Sequence, residues 1–219
     1  MKILSVRRGF ASDHSSTSYE FLAVDKPLSK NDRLEVSRLS SRVNPTARRA
    51  KFVYHVDGYD IPGGWEKLMA QYYDVMYRED YDWWTFAIAW NAAPGQYDEL
   101  RHFEFEEGAH EGTGIDISVS DDKRRIMVSI HCILDASGLD YDDYYDDEDD
   151  GSAAFETDDE LLNLLVQIRS QFISGDYRAL YAVWEKYGDD DEEEQPPKPQ
   201  AKKAGEDVVN EFGGMLARL

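Results

Sequence analysis

Apolar residues crowd into the stretch from Ala50 to Trp90, so a core must form there. Phe52, Tyr54 and Val56 recur at every second position and predict a strand over 51–57. Pro62-Gly63-Gly64 turns the chain. Trp65, Leu68, Met69, Tyr72, Val75 and Met76 then keep the spacing of one apolar helix face, which predicts a helix over 64–78. A second strand follows over 83–90. Trp84, Phe86, Ile88 and Trp90 line one side of it, and Trp83, Thr85, Ala87 and Ala89 the other. A strand apolar on both sides is one covered on both sides.

The flanking segments extend this pattern. A short edge strand is expected over 1–10, a polar loop over 11–18, and a strand over 19–24. Ser29 is placed to cap a helix running to about Ser40, with Leu34 and Leu39 inward, and Asn44-Pro45-Thr46 breaks it. After the loop 91–96, Phe103 and Phe105 alternate with His102, Glu104 and Glu106, which predicts a strand. Two more alternating runs are Ile115, Ile117, Val119 and Ile126, Val128, Ile130, Cys132, Leu134. Asp121-Asp122-Lys123 between them predicts a hairpin. Thr157 and Glu160 have the spacing of a capping box ahead of a helix with Leu161, Leu165, Ile168 and Phe172 on one stripe. Gly175 ends it. Tyr177, Leu180, Tyr181 and Trp184 mark a second helix that Gly188 ends, giving a helical hairpin. The order of elements argues an α+β fold, with a mixed or mostly antiparallel sheet and helices packed on one face.

Three regions follow from this. Residues 1–188 read as one domain with an acidic loop at 140–152 (Asp140 to Ser152), whose like charges prevent packing. Residues 189–205 read as a disordered acidic, Pro-rich linker. Residues 206–219 read as a short amphipathic helix, on which Val208, Val209, Phe212, Met215, Leu216 and Leu219 are the candidate partner-binding residues. Such a tethered helix either docks on its own domain or binds another protein, and the pattern leaves both open.

Charge changes the picture more than composition does. The 219 residues carry a net charge of −21. Lys and Arg outnumber Asp and Glu over 1–55, so the acid excess lies downstream, densest at 140–150 and 189–194. Such a field repels nucleic acid and anionic membranes. Cys132 is the single cysteine, so no internal disulfide forms. The N-terminal stretch is too poor in apolar residues for a signal peptide, and no apolar run approaches the ~18 residues of a membrane span, so a cytoplasmic protein is expected.

The search for chemistry yields few candidates. There is no G-x-S-x-G elbow, phosphate loop, H-E-x-x-H or cysteine pair with metal spacing. Cys132, beside Ile130 in an alternating strand, reads as a buried structural thiol rather than a nucleophile. His102, Glu104, Glu106 and His110 offer nitrogen and oxygen ligands, although a solvated sheet face uses the same residues. Asp146, Glu148, Asp150 and Gly151 imitate the start of a calcium loop. The closing acid is due at Thr157, while the nearest acid is Glu156, so the register misses by one. The basic run from Arg42 to Lys51 beside Phe52 and Tyr54 suits phosphate contact and base stacking, but an internal ion network with the acidic loops accounts for it more simply. His55 and His131 fall on strand faces opposite the main apolar rows. With a carboxylate they have the elements of an acid–base site, and nothing in the sequence says that they meet. No catalytic residue, metal ligand or cofactor is therefore assigned.

Tyr19 to Leu28 (YEFLAVDKPL), Leu68 to Tyr77 (LMAQYYDVMY) and Gly175 to Trp184 (GDYRALYAVW) resemble, in order, motifs of a set of uncharacterised bacterial proteins. That set opens on a YEFxAIDRPL-like segment, and its GDYRALYxxW-like segment comes late. Residues 39–46 resemble the S-T/S-R-A-x-I-T-P-T segment that follows the opening. The resemblance implies no established activity, so no functional residue is carried over. The acidic loop and the C-terminal helix depart from the pattern. The expectation is a non-enzymatic interaction or adaptor protein of a bacterial or archaeal cytoplasm. Its acidic loop and tethered helix would bind a protein partner, through residues 206–219 or through a basic surface that meets the acidic loops. The alternatives are a metal-dependent hydrolase and an acidic regulator that mimics nucleic acid.

Overall fold

The structure, a computed structural model, describes residues 17–55, 60–80, 83–106, 112–120, 124–133, 156–188 and 195–216. Six strands form one antiparallel sheet: β1 (Thr17–Leu22), β2 (Arg49–Tyr54), β3 (Val75–Asp80), β4 (Trp83–Asn91), β5 (Gly114–Val119) and β6 (Arg125–Ile133), in the order β2-β1-β3-β4-β6-β5. The helices are α1 (Lys30–Ser37), α2 (Glu66–Gln71), α3 (Gln96–Leu100), α4 (Glu156–Ile173), α5 (Arg178–Tyr187) and α6 (Glu206–Leu216). The α+β fold expected from the sequence is what forms.

Strand alternation sorts the apolar residues into two cores, one on each side of the sheet. On the first face Trp84, Phe86, Ile88 and Trp90 of β4 join Ile126, Val128, Ile130 and Cys132 of β6, under Leu165, Ile168 and Phe172 of α4 and Leu180 and Trp184 of α5. On the second face Tyr19, Phe21, Phe52 and Met76 pack with Val36 of α1 and Leu68 and Met69 of α2. Ala87 and Ala89 present only methyl groups there, and α2 lies against them. The large helices thus share one face, as expected, while α1 and α2 close part of the other. The two-sided cover expected for the strand over 83–90 is present.

Several boundaries differ from the sequence reading. The helix expected over 64–78 is α2 alone, and its last third is β3. Asp74 is where the backbone leaves the helix: its N–H donates to Leu22 O (2.9 Å), and its carboxylate accepts the N–H groups of Val24 (2.6 Å) and Asp25 (2.9 Å). Val75-Met76-Tyr77 then pairs with β1 and β4, and all three side chains are buried. Where a strand was expected at 102–106, the chain instead ends a 3-10 turn, Arg101–Phe103, that follows α3, and among the described residues it pairs only through the bridge of Phe105 to Ile115. Ser29 caps α1 as expected, in a reciprocal box with Asp32, but Leu34 is exposed and Val36 is the inward residue. Helix α4 begins at Glu156, so Thr157 lies inside it rather than at its cap. The edge strand expected over 1–10 and the acidic loop fall outside the described residues.

Candidate functional site: an open end of the sheet

Ionisable side chains collect at the two ends of the sheet and differ in how they are used. At the end where β3 begins and β4 finishes, Asp74 is the centre of a buried network. Its Oδ1 accepts from Arg125 Nη2 at 2.7 Å and lies 3.5 Å from Arg169 Nη2. Arg125 also donates to Met69 O (2.9 Å) and Tyr73 O, and Arg169, 3 % exposed, donates to Ala89 O (2.8 Å) and Asp25 Oδ2 (2.5 Å). These bonds join β1, α2, β4, β6 and α4. A buried charge is tolerated only when paired and hydrogen-bonded in this way, and such a network fixes register. A hollow of about 700 Å³ beside it is lined by Gln71, Asn91, Pro94, Tyr97, Arg124 and Arg125, and the Arg125 guanidinium is already committed to Asp74 and two carbonyls.

The opposite end, on the second face beyond the reach of α2, is open. His131 of β6 stands between Thr85 of β4, its register partner, and Asp116 of β5. Its Nδ1 lies 3.1 Å from Thr85 Oγ1 and its Nε2 2.8 Å from Asp116 Oδ2. The partners set the roles for a neutral ring: Thr85 O–H donates to Nδ1, and Nε2–H donates to the carboxylate. The hydrogen bond from His131 holds the Asp116 carboxyl below its ordinary range against the opposing effect of burial. The Asp116 side chain is 61 % exposed, and its Oδ1 makes no bond among the described residues. Both imidazole nitrogens are therefore engaged, and the Thr85 hydroxyl belongs to a residue only 4 % exposed. The ring holds Asp116 in place.

Trp83 completes this end. It starts β4 opposite Ile133 and is 45 % exposed, unlike Trp84, which points into the first core. Gly112 explains how the ring is held. It has φ +78°, and a Cβ there would stand 2.8 Å from Trp83 Cζ3 and closer still to Ile133, so only a glycine backbone passes this near. Next to it on β3, Arg78 Nη2 is paired with Asp80 Oδ2 at 2.5 Å and its guanidinium lies over the Tyr19 ring, 5.6 Å from the centroid. Trp83, His131 and Asp116 thus run diagonally across β4, β6 and β5.

The other candidates are placed differently. Cys132 is fully buried in the first core, and burial pushes its thiol well above the ordinary range, as a structural thiol requires. His102 lies in the 3-10 turn and Glu104 after it, where Glu104 Oε1 accepts the N–H of Ile117 at 3.3 Å; with Glu106 they do not share a strand face, and His110 is outside the described residues. No group of three His, Cys, Asp or Glu side chains suited to a metal ion occurs among the described residues. In the basic run, Arg48 donates to the carbonyls of Ala23 (2.8 Å) and Val24 (2.7 Å), and Lys51 pairs with Glu20 at 2.5 Å; of the two aromatics beside it, Phe52 is buried in the core and Tyr54 is half-buried. His55 follows β2, and three strands separate it from His131.

The C-terminal helix docks on its own body. Val208 and Phe212 are buried, and Phe212 meets Phe86 edge-on with ring centroids 6.2 Å apart. The segment before α6 is held as well. Arg178, gripped by both Asp176 oxygens at 2.9 Å, donates to Ala204 O (2.6 Å) and Lys202 O, and Gln171 donates to Gly205 O at 3.0 Å. Of the two placements left open, docking on its own domain is the one seen: Val208 and Phe212, two of the candidate partner-binding residues, lie in the first core. Val209 is half-buried. Met215 and Leu216 lie in the last turn of α6, and Leu219 is outside the described residues. No helix among the described residues is long and apolar enough to cross a membrane.

No protein-family model matches the chain, and no curated protein or solved structure is significantly similar to it. Sequence reasoning marked His131 but missed its partners. Asp116 sits on the outward face of an alternating run, which was visible; that β5 and β4 flank β6 in this register was not.

Proposed function

We propose that this is a non-enzymatic interaction protein, an adaptor that binds a basic protein surface. The observation that carries the reading is the open end of the sheet, where Trp83 and Asp116 face solvent in a chain of net charge −21. An exposed large aromatic held in a fixed pose beside a carboxylate favours recognition over chemistry. The acidic segment 140–150 follows β6 in the sequence and adds to the negative charge of the chain. The docked α6 moves the expected contact away from Val208 and Phe212 toward these acidic and aromatic groups. Repulsion of polyanions disfavours nucleic acid as a partner, and a cytoplasmic setting is part of the proposal.

The test is binding of a Lys/Arg-rich peptide at increasing salt. It compares the native chain with a variant carrying Asn for Asp at Asp142, Asp143, Asp146, Asp147, Asp149 and Asp150. Affinity is expected to fall with salt and to be weaker in the variant. Equal affinity at all salt concentrations, or no binding, contradicts the proposal.

A further inference from the structure

We infer that the open end of the sheet is a two-point receptor for an extended basic segment, with one Lys or Arg side chain laid on the Trp83 ring and a second on Asp116 Oδ1. The inference rests on the reading that the partner is basic, and it adds which groups meet the partner and at what spacing. Trp83 offers a ring 45 % exposed, fixed from behind by the close pass of Gly112, with no ring or cation already stacked on it among the described residues. Trp is the best aromatic acceptor for a cation. Asp116 offers one oxygen with no bond among the described residues, while His131 Nε2 and, through it, Thr85 hold the other in place, so little ordering remains to be done on binding. Arg78 of β3, on the same face beside Trp83, is already engaged by Asp80.

The register sets the distance between the two points. Trp83 lies opposite Ile133 and Asp116 opposite Ser129, two strands apart and displaced along them. With about 3.3 Å per residue along a strand and about 4.8 Å between strands, the two positions are about 16 Å apart. One side chain cannot span that, but two cations an even number of residues apart on an extended chain, about four or six, face the same side and can.

The experiment is calorimetric titration of the full chain with two peptides of identical composition, one with its two lysines about four or six residues apart, on one face of the extended chain, and one with them adjacent. The spaced peptide is expected to bind more tightly. Trp83→Ala and Asp116→Asn should each weaken it by about two- to fivefold, while Trp83→Phe, which keeps an aromatic face and the packing on Gly112, should retain most of the affinity. Equal binding of the two peptides, or native affinity in both Trp83→Ala and Asp116→Asn, overturns the two-point receptor. In that case a loss confined to the variant neutralised over 142–150 leaves the broader proposal of a basic partner standing. Absence of binding by either peptide overturns both.

Discussion

Asp74 shows how much one residue can hold together. It is 4 % exposed, and its side chain and backbone bond to β1, the turn after β1, β4 and Arg125. Asp74→Ala leaves Arg125 and Arg169 buried with less compensation, and is expected to cost about 3–5 kcal/mol in urea unfolding. The sequence gives no hint of this. An aspartate inside a run spaced like a helix reads as a polar residue on a helix face, and only the fold brings Arg125 and Arg169 to it. The same limit applied to His131. Its alternation placed it correctly, opposite the main apolar row, but Asp116 and Thr85 come from neighbours that only register supplies. Gly112→Ala is expected to destabilise the chain and to disturb Trp83, because the added methyl meets the ring at a positive φ; quenching of the exposed tryptophan by acrylamide reads the change.

At the scale of elements, period-2 patterns were the reliable guide, and β1, β2, β4, β5 and β6 lie where alternation put them to within a few residues. The failure at β3 has a physical cause. Val75 and Met76 satisfy a helix spacing and a strand alternation equally well, and pairing with β1 and β4 on both sides decided for the strand. The 96–105 segment failed for the converse reason: Phe103 and Phe105 are both buried, but from a helical turn and a single bridge. The C-terminal helix was legible as amphipathic, and the core that receives it was not. Phe212→Ala is expected to lower stability by about 3 kcal/mol and to speed hydrogen exchange of the α6 amides. Unchanged exchange would mean that α6 is not held through Phe212. At the other end of the chain, Ser29→Ala should cost about 1 kcal/mol through the lost cap of α1.

Over the whole molecule, charge divides between internal and outward use. The Asp74 network and the Asp176–Arg178 pair are internal: they fasten helices and the final segment to the sheet. Burial opposes the Asp176 charge, but the bonds and charge of Arg178 outweigh it and hold the carboxyl below its ordinary range. A carboxyl depressed in the folded state contributes stability that is present above its unfolded pKa and is lost as pH falls through the lowered folded value. The stability gap between the native chain and Asp176→Asn should therefore close as pH drops below the ordinary carboxylate range, measured by urea unfolding across that window. Asp116, at the outward end, carries a weaker effect of the same sign because solvent screens it.

The central claim is that the partner meets the Trp83–His131–Asp116 end of the sheet while α6 stays docked. The most direct test is an amide and indole NMR titration with a Lys/Arg-rich peptide. The account predicts shifts concentrated at the Trp83 indole and the amides of β4, β5 and β6 near Thr85, Asp116 and His131, with α6 unmoved. Shifts concentrated on Val208 to Leu216, with the Trp83 indole unchanged, would contradict it.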